Sequence, residues 1–544
     1  MQRCSLNRLV LFTLFSSLLL FGCANTPSTP KNGAVATTHP LATQAAFRAL
    51  DRGGNAFDAA VAAAATLAVV EPYSASLGGG SLWLIQSKDD APVLLDALPT
   101  APRSSFDQVS TEGALSAAIP GHVTALTTVN REFGIMPIAA TLRDAIQIAE
   151  NGFRINRQYI NIAQSQRQKL ERYGNNHPLF AQSTLQPGNL IKQPQLADTL
   201  RAIGSGGANT FYVGPIATQL LADVQTAGGK WATDDLTQYR AMHRTPIRFT
   251  YRNAVIHTAP PPSVTGVALQ RMLGIVARVE ESEHNLLQQT VLNLESMKLA
   301  FEDLETYIGD PEINTVSAER LSAPSYLSYL ADLTATRVNT ANIDDLPTGD
   351  VTKPGTQDVL SEHSSHISII DGDGNRVSVA ISLNAPFGSG LVSRQTGIVL
   401  NNHLERFTDK QGKTAPRPAP QQRPTTYLAP TFVETADRAL AMSTSGGKKT
   451  ATTLLLGTQN QLNNHAFPDW LAEQRYHRDE RTVIQFERHA FSRALLQQLK
   501  GQHYQLEELS YDFGNLQAVT WNKRDDTLEA GSDPRGSGQA FVRH

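Results

Sequence analysis

Two neighbouring segments hold the residues best placed for chemistry. Ser364 to Asp371 (Ser-Ser-His-Ile-Ser-Ile-Ile-Asp) and Asn375 to Asn384 (Asn-Arg-Val-Ser-Val-Ala-Ile-Ser-Leu-Asn) alternate with period two, as half-buried strands do. Gly372-Asp373-Gly374 between them is a hairpin turn signal. With Asp371 opposite Asn375, counting outward along both arms sets Ser382 opposite Ser364. Two hydroxyls then stand side by side where a polar segment meets a sheet. Thiol and disulfide chemistry is absent from the body of the chain, because its two cysteines are Cys4 and Cys23. The histidines show no metal-ligand spacing; His363 and His366 flank the serines and read as packing or surface residues.

The elements that must position these residues can be read coarsely. Ala42 to Leu50 and Ala56 to Val70 are alanine-rich helical patterns, broken by Gly53-Gly54-Asn55. Gly78-Gly79-Gly80 leads into a short apolar strand, Leu82 to Ile85. From about 120 to 340 the pattern is mostly helical, over Thr141 to Glu150, Leu196 to Ala202, Ile216 to Ala227 and Leu287 to Tyr307. Pro260-Pro261-Pro262-Ser263 interrupts it and is expected to be extended. Asp344 to Asp358 is polar, with two prolines and two glycines, and reads as an exposed segment.

The 544 residues are 41% hydrophobic and 18% charged, enough apolar material for a large core. That length allows three or four domains, or one large α/β body. A net charge of −3 offers no positive field for a polyanion, so nucleic acid is not an expected partner. Arg3 and Arg8 precede an apolar run from Leu9 to Phe21, too short to span a bilayer and shaped like a secretory signal. Leu20-Phe21-Gly22-Cys23 resembles a bacterial lipobox, which implies removal of residues 1–22 and lipidation of Cys23. The protein is then expected to be exported to the periplasm or cell envelope and held at a membrane by its lipid. Residues 23–33, rich in prolines and small polar residues, read as a tether.

A series of motifs is similar to the γ-glutamyltranspeptidases (glutathione hydrolases), a family of self-processing N-terminal-nucleophile enzymes. They are His39-Pro40-Leu41-Ala42, Gly53-Gly54-Asn55-Ala56, Val70-Glu71-Pro72 leading to Gly78-Gly79-Gly80, Pro120-Gly121, Pro261-Pro262-Ser263 and Gly309-Asp310-Pro311. Gly397-Ile398, Asn401-Asn402, Arg423-Pro424, Ser445-Gly446-Gly447 and Ser532-Asp533-Pro534-Arg535-Gly536 complete the series. Their joint order identifies the chain as a member over nearly its whole length. The resemblance implies a four-layer αββα sandwich, made as one chain and cut into a large subunit, 34–363, and a small subunit, 364–544. It implies no cofactor and no metal.

The family's new N-terminal residue is normally threonine in a Thr-x-His-x-Ser context; here it is Ser364-Ser365-His366-Ile367-Ser368, so cleavage between His363 and Ser364 is expected to expose a serine. A hydroxyl becomes a nucleophile when a base takes its proton, and the new α-amine, with a pKa of ~7.7–8.0, can be that base. Serine lacks the γ-methyl that restricts χ1. The resemblance places Ser382 as a hydroxyl partner of the nucleophile, Asn384 as a substrate-orienting amide, and Gly446 and Gly447 as the oxyanion-binding pair.

The substrate-recognition positions depart from the family pattern. The arginine expected three residues before Ala101-Pro102 is Leu98, and Arg103 lies nearby out of register. The aspartate that grips the substrate's α-amino group corresponds to Arg406; its acidic neighbour is kept as Glu405, and a glutamine is His403. The paired serines after Arg-Pro become Thr426 and Tyr427. An arginine repels the ammonium that an aspartate attracts, and a buried mismatch of charge costs several kcal/mol. Three readings stay open: a γ-glutamyl hydrolase or transferase with rearranged contacts, using water or an amine as acceptor; an amidase for other acyl groups, such as glutaryl or poly-γ-glutamate; and an envelope lipoprotein that keeps the fold without catalysis. The short stretch from Phe407 to Arg423 predicts an open cleft.

Overall fold

The computed structural model describes residues 32–103, 110–174, 177, 185–280, 284–302, 304–314, 316–340, 363–407, 418–479 and 483–543. Cys23, the signal over 1–22, most of the tether and the segment 344–358 lie outside them.

Two sheets lie face to face, and each carries helices on its outer side. Chain order gives β1 (Gly33–Thr37), β2 (Gly80–Gln86), β3 (Val93–Ala97), β4 (Met242–Arg244), β5 (Ile247–Tyr251), β6 (Ala254–Thr258), β7 (Ser365–Asp371), β8 (Arg376–Ser382), β9 (Thr431–Glu434), β10 (Arg438–Ser443), β11 (Gln517–Asn522), β12 (Thr527–Ser532) and β13 (Gln539–Arg543). The seven-stranded sheet runs β13-β1-β7-β8-β2-β3-β4, and the six-stranded sheet β12-β11-β10-β9-β6-β5. Helices α1 (Pro40–Asp51) and α2 (Ala56–Val70) cover the first sheet; α3 (Val264–Val279) and α4 (Leu286–Phe301) belong to the layer over the second, where α5 (Lys449–Leu462) packs on α3. This is the expected αββα sandwich.

The first helical layer is set by local chemistry. His39 caps α1, its Nδ1 accepting from the Leu41 N–H, with Pro40 at the first helical position. Asn55 caps α2 in a reciprocal box with Asp58. Every residue of α2 is buried, and its alanines let it pack on both α1 and the sheet. The Ala56 N–H donates to Asp371 Oδ2 at 2.8 Å, which ties the start of α2 to the turn end of β7. Asp371 also accepts from the Asp373 and Asn375 N–H groups and the Asn375 amide, closing the hairpin. Its register is the expected one: Arg376 opposes Ile370 and Ile381 opposes Ser365.

The middle of the chain departs from the helical expectation. It contains β4, β5 and β6, short strands between helical stretches, and β5 and β6 form an edge of the second sheet. Pro260 to Ser263 is a turn rather than extended chain, closed by the Ser263 N–H donating to Pro260 O at 3.0 Å.

Candidate active site

Strand alternation decides what faces the space between the sheets. Ile370 and Ala380 belong to the core around the second sheet, whereas Ile367, Ile369, Val377, Val379 and Ile381 pack into the first helical layer. The even-numbered face of the hairpin therefore looks toward the second sheet, and Ser364 and Ser382 share it. Both line a small pocket with Asn384, His403, Arg406, Thr425, Thr426, Tyr427, Thr444 and Gly447. Its free volume is about 20 Å³, and it is partly open to solvent. Residues 408–417, in the stretch on which the expectation of an open cleft rested, lie outside the described residues.

At one end the pocket is built from main chain. Ser364 follows His363, which is half-buried, and whose imidazole is pushed down to about 4 by loss of hydration. Ser382 Oγ accepts from the Asn384 N–H at 2.9 Å. Gly446 and Gly447 have φ of 137° and 55°, left-handed conformations that side chains resist. They lie where β10 turns into α5, and Gly447 and Thr450, in the first turn of that helix, line the pocket with the serines, whereas Gly446 does not.

At the other end it is built from side chains. Asn384, itself left-handed at φ 75°, is the hub. Its Oδ1 accepts from Arg406 Nε at 2.6 Å, and its Nδ2 donates to Glu405 Oε2 at 3.0 Å. Asn402 Nδ2 also donates to Glu405 Oε2, at 2.9 Å. Arg406 stacks over the Tyr427 ring, 4.8 Å from its centroid. Burial raises the Glu405 carboxyl above its usual value, partly offset by Arg406. Burial, and secondly the charge of Arg406, holds the His403 imidazole down to about 3. Thr426 Oγ1 accepts from the Leu428 N–H at 3.2 Å.

Two expected site positions lie elsewhere. Leu98 is wholly buried in the core with Leu82 and Leu84, its carbonyl accepting from the Tyr239 hydroxyl. Arg103 is not among the pocket-lining residues; it is exposed, its backbone N–H held by Asp235 Oδ1 at 2.6 Å. Sequence reasoning also passed over two residues that support the site. Glu71, in the quoted Val70-Glu71-Pro72, lies beneath β7 and accepts from Ser365 Oγ at 2.5 Å, Thr38 Oγ1 at 2.8 Å and the Tyr73 hydroxyl at 3.2 Å. Lys169, on the helix Arg167–Tyr173, donates from Nζ to Pro386 O at 2.6 Å and Gly388 O at 3.1 Å, beneath the loop that follows Asn384. Burial pushes its ammonium down to about 8. Nothing in a polar helical stretch signals that role.

Among the described residues no cluster of three or more His, Cys, Asp or Glu could hold a metal ion, and no helix is long and apolar enough to cross a membrane.

The sequence profile of the gamma-glutamyltranspeptidase family matches residues 42–542. A glutathione hydrolase proenzyme of Pseudomonas aeruginosa is 31% identical over 545 residues, covering 95% of each chain. The acylase ACY 1 proenzyme of Pseudomonas sp. strain SE83 is 28% identical, also over 95% of each chain. Among solved structures, a cephalosporin acylase from Bacillus halodurans superposes with a TM-score of 0.82 at 26% identity, over 96% of this chain and 98% of that one. Family, fold and coverage agree on an amidohydrolase or acyltransferase of the N-terminal-nucleophile type, and the chain belongs to the gamma-glutamyltranspeptidase family.

Proposed function

We propose that this chain is a self-cleaving amidase or acyltransferase whose acyl site takes a group ending in a carboxylate and lacking a free α-amine, of the glutaryl type. The observation that carries this is Arg406, fixed by Asn384 and Tyr427 in the pocket that Ser364 lines. A guanidinium held at Nε and stacked on a ring offers its terminal N–H groups to a carboxylate in fixed geometry. The acylase relatives support the same reading, and the loss of an acidic residue at 406 argues against an ammonium-bearing headgroup.

Cleavage between His363 and Ser364 separates the large subunit, 34–363 with the tether 23–33 still attached, from the small subunit, 364–544, and frees the Ser364 α-amine. That amine takes the Oγ proton as Oγ attacks the substrate's amide carbonyl. The tetrahedral oxyanion is held by the N–H groups of Gly446 and Gly447. Collapse breaks the C–N bond; the amine product leaves with the proton from the Ser364 ammonium, and the acyl group stays as an ester on Oγ. Water, or an acceptor amine, then attacks the ester by the same proton path and restores Ser364. Ser382 Oγ and Asn384 position the nucleophile and the acyl chain. In the precursor, residues 1–22 direct export and Cys23 carries the lipid anchor, which Cys23→Ala would abolish in a palmitate-labelling experiment.

A γ-glutamyl specificity is the second reading, favoured by Glu405, a carboxylate one residue from Arg406 and hydrogen-bonded to the same asparagine. Glutaryl and γ-glutamyl p-nitroanilides, compared side by side, separate the two. Glutaryl turnover at least tenfold higher in kcat/KM is expected; a preference for the γ-glutamyl compound overturns the first reading.

A further inference from the structure

The face of the hairpin that carries Ser364 is polar where a sandwich core is ordinarily apolar. His366 Nδ1 lies 2.6 Å from Ser443 Oγ, Ser368 Oγ donates to Gln517 O at 3.0 Å, and Ser378 Oγ donates to Met442 O at 2.9 Å. All three hairpin residues are fully buried, as are Ser443 and Gln517, which oppose each other across β10 and β11. These bonds join both strands of the hairpin in one sheet, β7 through His366 and Ser368 and β8 through Ser378, to strands of the other. Apolar side chains would give the sheets cohesion without fixing how one slides on the other; hydrogen bonds fix direction as well as distance.

The His366–Ser443 bond lies where that matters. Ser364 is two residues from His366 along the strand, about 6.6 Å of chain. Ser443 is the last residue of β10, followed by Thr444, which lines the pocket, and then Ser445, Gly446 and Gly447. Thr444 Oγ1 accepts from the Asn515 N–H at 3.1 Å, which anchors the loop on its far side. Burial keeps the His366 ring neutral, so it acts as a hydrogen-bonding group and not as a charge.

We propose that His366 is a positioning residue: through Ser443 it sets the separation between the Ser364 hydroxyl and the peptide N–H groups of Gly446 and Gly447. The proposal rests on the reading of Ser364 as nucleophile and of the glycine pair as oxyanion donors. A shift of about 1 Å between an attacking atom and its stabilising donors costs on the order of a hundredfold in rate. The bond acts on the transition state and leaves the Arg406 end of the pocket alone.

Four variants test this: Ser443→Ala, His366→Phe, the double variant, and His366→Asn, whose amide reaches the place of Nδ1. Each is assayed for kcat and KM on whichever anilide the wild type hydrolyses faster, with melting temperature and amide hydrogen exchange across 440–450 measured in parallel. The expected result is a tenfold or larger loss of kcat in Ser443→Ala and His366→Phe, with KM within threefold. The double variant should be no worse than the weaker single, His366→Asn should recover most of the rate, and faster exchange should be confined to 444–448. A Ser443→Ala enzyme within threefold of wild type overturns the proposal. So do single losses that multiply in the double variant, or exchange that rises throughout the chain with a falling melting temperature. If the wild type hydrolyses neither anilide, the functional reading fails; exchange then decides the tie alone, a rise confined to 444–448 upholding it and an unchanged 444–448 overturning it.

Discussion

The two ends of the pocket are held by different forces. At the Ser364 end, position follows from strand register, from glycine conformations and from a helix start. At the Arg406 end, it follows from a web of side-chain hydrogen bonds hung on one asparagine. Register cannot shift by a fraction of a residue, whereas a side-chain web can be rebuilt by one substitution. On the proposed function, the Ser364 end can therefore stay constant while the Arg406 end is re-specified, which is the contrast that Arg406 presents against the family pattern.

The sharpest break is Ser364→Ala. It should leave the chain uncut on a denaturing gel and lower amidase activity by ~10³-fold or more, while wild type yields the 364–544 piece. Wild type that stays whole would move the chain to the non-catalytic reading. Next comes Arg406→Asp, which should cut kcat/KM for the glutaryl anilide by roughly a hundredfold and narrow or reverse the preference over the γ-glutamyl compound. An unchanged preference would place carboxylate recognition elsewhere. Asn384→Ala removes the hub but neither the charge nor the nucleophile. An order of magnitude in kcat/KM is expected, about the worth of one charge-assisted hydrogen bond of ~1.5 kcal/mol, with chain cleavage retained.

The smallest effect belongs to Glu71, on the opposite face of β7 from the serines. Burial raises its carboxyl above the usual 4.5. As pH climbs past 4.5 the unfolded chain releases this proton first and the folded chain keeps it, so this group makes stability fall until the folded value is passed. Glu71→Gln removes that slope. Its melting temperature relative to wild type should rise by a few degrees between pH 4.5 and neutrality, with no change in acyl preference; a constant difference across that range would show Glu71 to be ionised at low cost.

Legibility in the sequence followed the same divide. The hairpin register could be counted from Gly372-Asp373-Gly374 because a three-residue loop sets Asp371 opposite Asn375, and Asn55 announced α2 by its cap. Motif order also conveyed the layered fold. The strands β4 to β6 were missed because each has five residues or fewer and sits between helical stretches. Recognition was half legible: the type at 406 showed that the charge had changed, but not that Asn384 and Tyr427 hold it in place. The contact of Lys169 with the 386–388 carbonyls bridges more than 200 positions, and no local pattern encodes such a bond.

The order of the first sheet has a kinetic consequence. A cut before Ser364 leaves β13, β7 and β8 in one piece and β1, β2, β3 and β4 in the other, yet β1 lies between β13 and β7, and β8 is laddered to β2. Neither piece can leave without stripping main-chain bonds from the centre of the sheet, so the pieces share a single cooperative unit. Before the cut, folding is a first-order event within one chain. After the proposed cut, recovery from denaturation would become a bimolecular reaction whose half-time lengthens on dilution, and the protein's return to its folded state would acquire a dependence on concentration that the precursor lacks.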